Sequence, residues 1–249
     1  MPSGQPKAVP NTTRTAARAR RALVITKATR KPRRGRWPPD PARVAAIVDG
    51  LEKLYPDVDC ELDRETPFQL LCATILSAQC TDERVNKVTP ALFQRFPDAR
   101  AMAAAPQPAL EELIRSTGFF RQKAKRLKGS ATALLERHGG EIPKTLAELT
   151  RLPGVSRKTA SVVLGTAYGL AEGVVVDTHV QRLSMRLGLT RKTDPKGIEQ
   201  DLMQVLPRDR WIRFSHQIIW HGRRVCFARK PSCATCALAP HCPSAGREA

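Results

Sequence analysis

The stretch Leu152-Pro153-Gly154-Val155-Ser156-Arg157-Lys158-Thr159-Ala160 decides the fold of this chain. Leucines recur every third residue before it, and small apolar residues return at helical spacing after it, which predicts two short helices. Proline cannot continue the first helix, and glycine can adopt the dihedral angles of a tight turn. The sequence therefore predicts a helix, a tight turn at Pro153-Gly154 and a second helix that begins near Ser156.

The N-terminus of this second helix is a predicted binding and reaction site. Its first backbone N–H groups lack partners within the helix and lie at the positive end of the helix dipole, so they suit a phosphate. Lys158 falls in this first turn beside Arg157, and the positive potential there favours the neutral, nucleophilic form of an amine. The local sequence leaves two interpretations open: a lysine that attacks carbon, or an ordinary solvated lysine beside a common Pro-Gly turn.

The charge of the chain indicates a polyanionic partner. The chain has 42 Lys and Arg residues against 23 Asp and Glu residues, and its formal net charge is +19. Eleven of the basic residues and none of the acidic ones lie in the first 36 positions. This excess favours nucleic acid over a charge that only keeps the protein in solution. No apolar run approaches the roughly 18 residues that a transmembrane helix needs, so we expect no membrane association.

The remaining pattern predicts an all-α fold behind a basic tail. Residues 1–36 are polar and lack a hydrophobic period, and we expect them to form a disordered tail that serves as a non-specific electrostatic arm or only as a spacer. After Trp37 the apolar spacing is helical nearly throughout, and helix caps are predicted at Asp40, Thr66 and Thr81. Only Val174-Val175-Val176 has the character of an extended segment. The length after the tail can support one large or two small domains.

Asp177 follows this extended segment and precedes a further helical period. At such a position an aspartate caps a helix by accepting hydrogen bonds from backbone N–H groups. Those bonds keep the carboxylate ionised, and an ionised carboxylate can stabilise a developing positive charge or accept a proton. The capping and catalytic interpretations are compatible, because capping orients the side chain.

Four cysteines near the end of the chain predict a metal site. They have the spacing C-x6-C-x2-C-x5-C within seventeen residues: Cys226, Cys233, Cys236 and Cys242. Four thiolates can hold a [4Fe–4S] cluster or a structural zinc ion, and the spacing does not separate the two. Disulfides are disfavoured because the total of seven cysteines is odd. Arg229 and Lys230 lie between the first two ligands, where they can present two cations to a phosphate; Cys60, Cys72 and Cys80 are interpreted as small core residues.

Together these motifs resemble the endonuclease III family of DNA glycosylases, within the helix-hairpin-helix superfamily. The resemblance covers about residues 40–243 and rests on the order and spacing of Leu76-Ser77-Ala78-Gln79 with Thr81-Asp82, Leu152-Pro153-Gly154-Val155, Arg157-Lys158-Thr159-Ala160, Val176-Asp177-Thr178-His179 and the four-cysteine loop. It implies an all-α fold of two helical domains that flank a DNA cleft. A six-helix barrel domain with the helix-hairpin-helix would span residues 60–170. Residues 37–59 and 171–249 would form a discontinuous helical domain that carries a [4Fe–4S] cluster.

The resemblance also implies roles for single residues. Lys158 would be the nucleophile, Asp177 the catalytic carboxylate, and the four cysteines the cluster ligands. Gln79 would fill the space left by an extruded nucleotide, and Phe119 or Phe120 would be a wedge in the base stack. Further DNA contacts are expected from the hairpin and the cysteine loop: Gly154, Ser156, Arg157, Arg229 and Lys230. Ser156 stands where the family often has glycine, but its backbone N–H still suits a phosphate.

The function implied is base excision repair. The enzyme would remove oxidised pyrimidines from duplex DNA through a lysine Schiff base and would then cleave the strand 3′ to the lesion by β-elimination, as an AP lyase. Its partner would be double-stranded DNA with damaged pyrimidines or abasic sites. We expect a monomer in the cytoplasm, at the nucleoid, or in an organelle or the nucleus of a eukaryote. An adenine mismatch glycosylase, a non-catalytic lesion-binding protein and a redox-sensing metal protein are alternatives; the lysine at position 158 argues against the first.

Overall fold

The computed structural model describes residues 37–247, so the predicted basic tail lies outside the described residues. Within them the chain forms eleven α-helices joined by turns and four short 3₁₀ helices, with no β-strand. The all-α prediction is therefore confirmed. No helix in this part of the chain is long and apolar enough to cross a membrane.

The helices follow one another through the chain with short connections. Their bounds are α1 Pro41–Leu54, α2 Pro67–Leu76, α3 Asp82–Arg95, α4 Ala99–Ala104, α5 Gln107–Leu113, α6 Phe120–His138, α7 Leu146–Leu149, α8 Arg157–Tyr168, α9 Thr178–Arg186, α10 Pro195–Val205 and α11 Trp211–Arg224. The 3₁₀ helices are Arg115–Thr117, Arg208–Arg210, Cys233–Thr235 and Ala239–His241.

The predicted helix starts are observed. Asp40, Thr66 and Thr81 are the N-caps of the first three helices, and each side chain accepts a hydrogen bond from a backbone N–H of the first turn. The segment 174–176 is extended but pairs with no strand, because the Val175 N–H donates to the hydroxyl of Ser215 at 3.2 Å instead.

Two hydrophobic cores organise these helices. The first, here called the barrel lobe, contains α2–α8 and buries apolar residues from Leu62 to Leu164. The second, here called the cysteine lobe, combines α1 with α9–α11 and buries residues from Val44 to Leu51 and from Val174 to Leu238. The chain thus leaves the second core after α1 and returns to it after α8. The predicted domain boundaries stay a prediction.

Ion pairs join the two lobes at two places. Arg223 at the end of α11 pairs with Glu61 and with Asp82 at the start of α3, the latter at 2.8 Å. Arg157 at the start of α8 pairs with Glu199 on α10 at 3.1 Å. These contacts hold the N-termini of α3 and α8 against the cysteine lobe, around the cavity described next.

Candidate active site

A cavity of about 550 Å³ is lined by residues from both lobes. It is deep enough to admit a group the size of a nucleobase, since ligand pockets commonly have volumes of about 300–1,000 Å³. Lys158 and Asp177 both line it, as do Gln79 and Ser156. Four of the residues singled out from the sequence are therefore brought together at one cavity.

The hairpin places Lys158 at the rim of this cavity. α7 ends at Leu149, and residues 150–156 form the turn, in which Gly154 has φ +80°. Ser156 then caps α8, because its hydroxyl oxygen accepts a hydrogen bond from the Thr159 N–H at 3.1 Å. Lys158 is the second residue of α8 and its side chain is exposed. The helix predicted before the turn is shorter than its leucine spacing suggested, because the last of those leucines belongs to the turn.

Asp177 is held by the cap that the sequence predicted. It is the N-cap of α9, and its Oδ1 accepts a hydrogen bond from the Val180 N–H at 2.8 Å. The carboxylate is half-buried and lies close enough to Lys158 for both to influence Asp82. Burial raises the pKa of Asp82, the Asp177 charge raises it further, and the Lys158 charge lowers it. Two carboxylates and one amine therefore share the same electrostatic environment.

Several cavity residues were missed as functional candidates from the sequence. Glu61, Asp82 and Arg223 form the ion-pair cluster at the cavity wall, and His179, His216 and Trp220 also line it. Asp82 and His179 belong to motifs quoted above, so a signal was present for those two. The other four residues lie outside the quoted motifs. Glu61 is in the loop before α2, and His216, Trp220 and Arg223 are on the amphipathic helix α11.

His179 is held in its neutral form beside the two predicted catalytic groups. Burial is the main cause that lowers its pKa, and the neighbouring cations Arg182 and Lys158 act in the same direction, against Asp177. Its Nδ1 lies 3.2 Å from a guanidinium nitrogen of Arg182, which can only donate. The same nitrogen of Arg182 also donates to the carbonyl oxygens of Gly222 and Cys226, at 3.1 and 3.0 Å.

Three exposed residues adopt a strained backbone conformation. Among the described residues, Gln79, Phe119 and Lys230 are the non-glycine residues with positive φ, at 54°, 47° and 50°. Such a conformation costs on the order of 1–3 kcal/mol and persists where the surrounding structure enforces it, often at functional sites. All three were predicted to contact DNA. The strained backbone is a structural feature that these three residues share, and it was not used to predict their contacts with DNA.

The two wedge candidates differ in exposure. Phe119 is the N-cap of α6 and is 67% exposed, whereas Phe120 is half-buried and packs against the core of the barrel lobe. An exposed aromatic ring is available for contact with bases. Exposure therefore favours Phe119 over Phe120 as the wedge, a choice that the sequence left open.

Two cations lie near the hairpin. The Arg157 side chain is 55% exposed and pairs with Glu199 at 3.1 Å, and its contact with DNA stays a prediction. Arg126 on α6 also lies along the hairpin: a Cβ placed on Gly154 would be 2.7–2.8 Å from its Cβ, Cγ and Cδ atoms. Arg126 is exposed and takes part in none of the ion pairs found among residues 37–247. Arg229 and Lys230 are exposed on the cysteine loop and do not line the cavity.

The four predicted metal ligands line a second, smaller cavity. Its volume is about 30 Å³, and its other lining residues are mainly apolar. Nitrogen atoms lie near two of the sulfurs: Arg186 Nη1 is 3.4 Å from Cys226 Sγ, and His221 Nε2 is 3.4 Å from Cys236 Sγ. Burial and the neighbouring cysteines raise the pKa of the Cys236 and Cys242 thiols, and a bound metal reverses this effect because thiolate is the ligand form.

The donor set fits a group that four cysteines hold. All four thiols line one small cavity whose other walls are mainly apolar. Both a [4Fe–4S] cluster and a structural zinc ion accept four cysteine ligands. The choice of the [4Fe–4S] cluster, which the family resemblance implies, therefore stays a prediction.

The three remaining cysteines do not share one environment. Cys72 is buried at 2% exposure in the barrel lobe, and burial raises the pKa of its thiol. Cys60 and Cys80 are half-buried and also line the larger cavity. Of the three cysteines interpreted as core residues, only Cys72 is thus fully buried.

The chain matches known repair proteins over most of its length. Residues 72–208 match the HhH-GPD superfamily of base excision DNA repair proteins. Endonuclease III of Synechocystis sp. is 60% identical over 203 residues, covering 82% of this chain and 93% of the relative. Endonuclease III of Bacillus subtilis is 41% identical, covering 80% and 91%, and that of Escherichia coli is 37% identical, covering 81% and 95%.

Solved structures give the same assignment. A non-covalent endonuclease III–DNA complex superposes with a TM-score of 0.77 at 40% identity, covering 82% of this chain and 95% of that one. A trapped endonuclease III–DNA covalent intermediate gives the same score and identity and covers 82% and 96%. A thermostable thymine-DNA glycosylase, 20% identical with a TM-score of 0.73, shares the fold. The chain therefore belongs to the endonuclease III family of DNA glycosylases and AP lyases, within the HhH-GPD superfamily of base excision DNA repair proteins.

Proposed function

We propose that this glycosylase removes oxidised pyrimidines from duplex DNA through a Schiff base on Lys158 and then cleaves the strand by β-elimination. The observation that carries the proposal is that Lys158 and Asp177 open into the same cavity. A similar chain has been trapped as a covalent intermediate with DNA, which supports a covalent route here. The substrate is a nucleotide extruded from the duplex, because a base within the stack cannot reach such a cavity.

In the first step, the neutral Nζ of Lys158 attacks C1′ of the extruded sugar. The N–C1′ bond forms as the glycosidic bond breaks, and the electron pair of that bond leaves with the base, which takes up a proton. Asp177 stabilises the positive charge that develops on the sugar, or accepts a proton from the attacking amine. Opening of the sugar ring then gives the protonated Schiff base.

In the second step, the Schiff base makes the C2′ hydrogens acidic. Loss of one C2′ proton breaks the C3′–O bond, and the electron pair leaves with the 3′ phosphate. Hydrolysis of the imine returns Lys158 for the next cycle. Oxidised pyrimidines that have lost ring planarity stack poorly, so their extrusion needs less energy than that of a normal base. This difference is the proposed source of selectivity.

The other predicted residues position the DNA. We assign Gln79 to the gap left by the extruded nucleotide and Phe119, rather than Phe120, to the wedge, since Phe119 is the exposed ring. The hairpin N–H groups at Gly154 and Ser156 contact a backbone phosphate, with Arg126 as their accompanying cation. Arg229 and Lys230 contact phosphates from the cysteine loop. The enzyme acts as a monomer on double-stranded DNA.

The cysteine lobe would hold a [4Fe–4S] cluster on Cys226, Cys233, Cys236 and Cys242. When bound, the cluster would crosslink the segment after α11, which carries Cys226, to the loop that carries the other three ligands. Arg186 Nη1 and His221 Nε2 orient two of the ligands by hydrogen bonds to their sulfurs. We therefore assign to the four-cysteine site the role of positioning the loop that carries Arg229 and Lys230.

The experiment that tests the proposal is borohydride trapping on duplexes that carry thymine glycol, uracil or an abasic site. The wild-type protein should form a covalent adduct with the thymine glycol and abasic duplexes. Lys158→Gln should form none, and should lose both base release and strand cleavage while keeping nearly normal DNA affinity. Lys53→Gln, an exposed lysine on α1 away from the cavity, is the matched control and should behave as wild type.

Two outcomes would reject the assignment. A trapped adduct with Lys158→Gln would exclude Lys158 as the nucleophile. Tight binding to the lesion by the wild-type protein, with neither adduct nor strand cleavage, would indicate the non-catalytic lesion-binding alternative.

A further inference from the structure

Lys123 is a buried lysine in the barrel lobe. It lies on α6 in the barrel lobe, is 2% exposed and is flanked by buried apolar residues such as Ala124 and Leu127. Burial of an ammonium group is strongly unfavourable unless polar partners offset the lost hydration. Burial accordingly lowers the pKa of Lys123, with Arg126 acting in the same direction and Cys80 opposing it. Packing alone would be served as well by methionine or leucine.

The contacts of Lys123 are with the loop that carries Phe119. Its Nζ donates a hydrogen bond to the carbonyl oxygen of Thr117 at 2.8 Å. Its backbone N–H donates to the carbonyl oxygen of Phe119 at 3.0 Å, which is the first hydrogen bond of α6 and does not depend on the side chain. The contact that the lysine side chain itself adds is therefore the bond to Thr117.

This loop requires such a restraint. Gly118 has φ +71° and Phe119 has φ +47°, so two consecutive residues are in the left-handed region of backbone conformation. Phenylalanine is disfavoured there, and its ring is 67% exposed, so packing of the ring does not hold the conformation. Thr117 is buried and its hydroxyl donates to Ile114 O at 2.8 Å, which fixes the start of the loop. The ammonium group of Lys123 holds the same residue through the Thr117 carbonyl oxygen, next to the two residues with positive φ.

We propose that Lys123 is a positioning residue whose buried ammonium holds the Thr117–Phe119 loop in the conformation that presents Phe119 to the base stack. Lys123 therefore acts on extrusion of the nucleotide and not on the chemistry at Lys158. This inference rests on the wedge role given to Phe119 under the proposed function. The same buried charge also reduces the stability of the barrel lobe. Replacing it with an apolar side chain should therefore lower activity without lowering stability.

The test is Lys123→Met in the full-length protein, with the single-turnover rate of thymine glycol release from duplex DNA as the first readout. We expect this rate to fall by about tenfold, because the variant assists nucleotide unstacking less well, and unstacking costs a few kcal/mol. The melting temperature should be unchanged or higher, because an apolar residue replaces a buried charge. Strand cleavage at an abasic site in single-stranded DNA needs no unstacking from a duplex and should stay within about twofold of wild type.

Two variants make the result specific. Lys128→Met is the matched control, since Lys128 lies on the same helix and its Nζ donates to the backbone carbonyl of Ala105 at 2.8 Å, away from the Phe119 loop; it should leave duplex excision unchanged. Lys123→Gln retains an N–H donor for the Thr117 carbonyl and should fall between wild type and Lys123→Met. If Lys123→Met does not fold, the intermediate rate of Lys123→Gln still tests the proposal.

A double-mutant cycle with Phe119→Ala decides whether Lys123 acts through the wedge. In the Phe119→Ala background, Lys123→Met should lower duplex excision by less than about twofold further, because the two changes remove the same function. An undiminished further loss would overturn the proposal. An equal loss on duplex lesions and on single-stranded abasic DNA, or wild-type rates on both, would also overturn it.

A fluorescence readout keeps this test independent of the proposed chemistry. With 2-aminopurine next to an abasic analogue in duplex DNA, unstacking on binding raises the fluorescence whether or not the protein cleaves. Wild type should give the full increase, and Lys123→Met should match Phe119→Ala. If the wild-type protein fails to release thymine glycol, the proposed function fails while this comparison still decides the role of Lys123. A Lys123→Met signal equal to that of wild type would refute that role.

Discussion

Gly154→Ala is the perturbation whose effect can be calculated most directly from the structure. Gly154 has φ +80°, and a Cβ there would lie 2.7–2.8 Å from three carbon atoms of the Arg126 side chain. The left-handed backbone costs an L-residue about 1–2 kcal/mol. The overlap adds a further penalty, because the Cβ of Arg126 is fixed by α6 and only the outer atoms can move. We expect the free energy of unfolding to fall by about 2–4 kcal/mol in total.

Thermal unfolding measures this effect. For a chain of this size, a loss of 2–4 kcal/mol should lower Tm by roughly 5–15 °C. Gly169→Ala is the matched control, because Gly169 has φ +67° and ψ 16°, in the left-handed region, and no neighbouring atom lies within 4 Å of the added Cβ. It should show only the loss of stability that comes from the backbone conformation. Adding Arg126→Ala to Gly154→Ala should recover part of the difference.

The reasoning would be refuted if Gly154→Ala were at least as stable as Gly169→Ala. If Arg126→Ala recovered none of the stability lost in Gly154→Ala, the close contact between the hairpin and α6 would not be the cause of that loss.

Three further predictions concern catalysis, DNA binding and the cysteine lobe. Asp177→Asn should preserve the fold, since asparagine also caps helices well, while turnover falls about 100-fold or more; near wild-type single-turnover rates would leave Asp177 with a capping role alone. Arg126→Gln should reduce the slope of log Kd against log salt concentration by about 0.9, whereas Arg137→Gln at the far end of the same helix should not change it; equal slopes would remove Arg126 from the phosphate contacts. Cys233→Ala should lower Tm and abolish the brown colour of the purified protein, and elemental analysis of the wild type should find iron and sulfide; zinc instead would overturn the cluster assignment.

Much of the fold was predictable because its signals are local. Asp40, Thr66 and Thr81 cap the helices that follow them, and a cap depends only on residues within one turn. The hairpin was predictable for the same reason, since Pro153-Gly154 breaks a periodic pattern whatever the rest of the chain does. Asp177 could be recognised as a cap from the sequence, but its proximity to Lys158 could not.

What the sequence could not decide depends on contacts between distant segments. Arg157 pairs with Glu199, forty-two positions later in the chain, a contact that its place in the hairpin motif does not predict. Arg126 had no sequence signal, because its place beside Gly154 follows from the packing of α6 against the hairpin. Arg223 reaches Glu61 and Asp82 only because α11 and the start of α3 lie on opposite walls of one cavity.

The sequence by itself thus determined the all-α class, the starts of several capped helices, the hairpin with its lysine, and the four-cysteine loop, since each depends on the chemistry of neighbouring residues. The tertiary structure alone decided that Lys158 and Asp177 share a cavity, which of two adjacent phenylalanines is exposed, and that a lysine in the core binds the Phe119 loop. These features arise where helices from different parts of the chain pack together, and residue spacing carries no direct record of that packing.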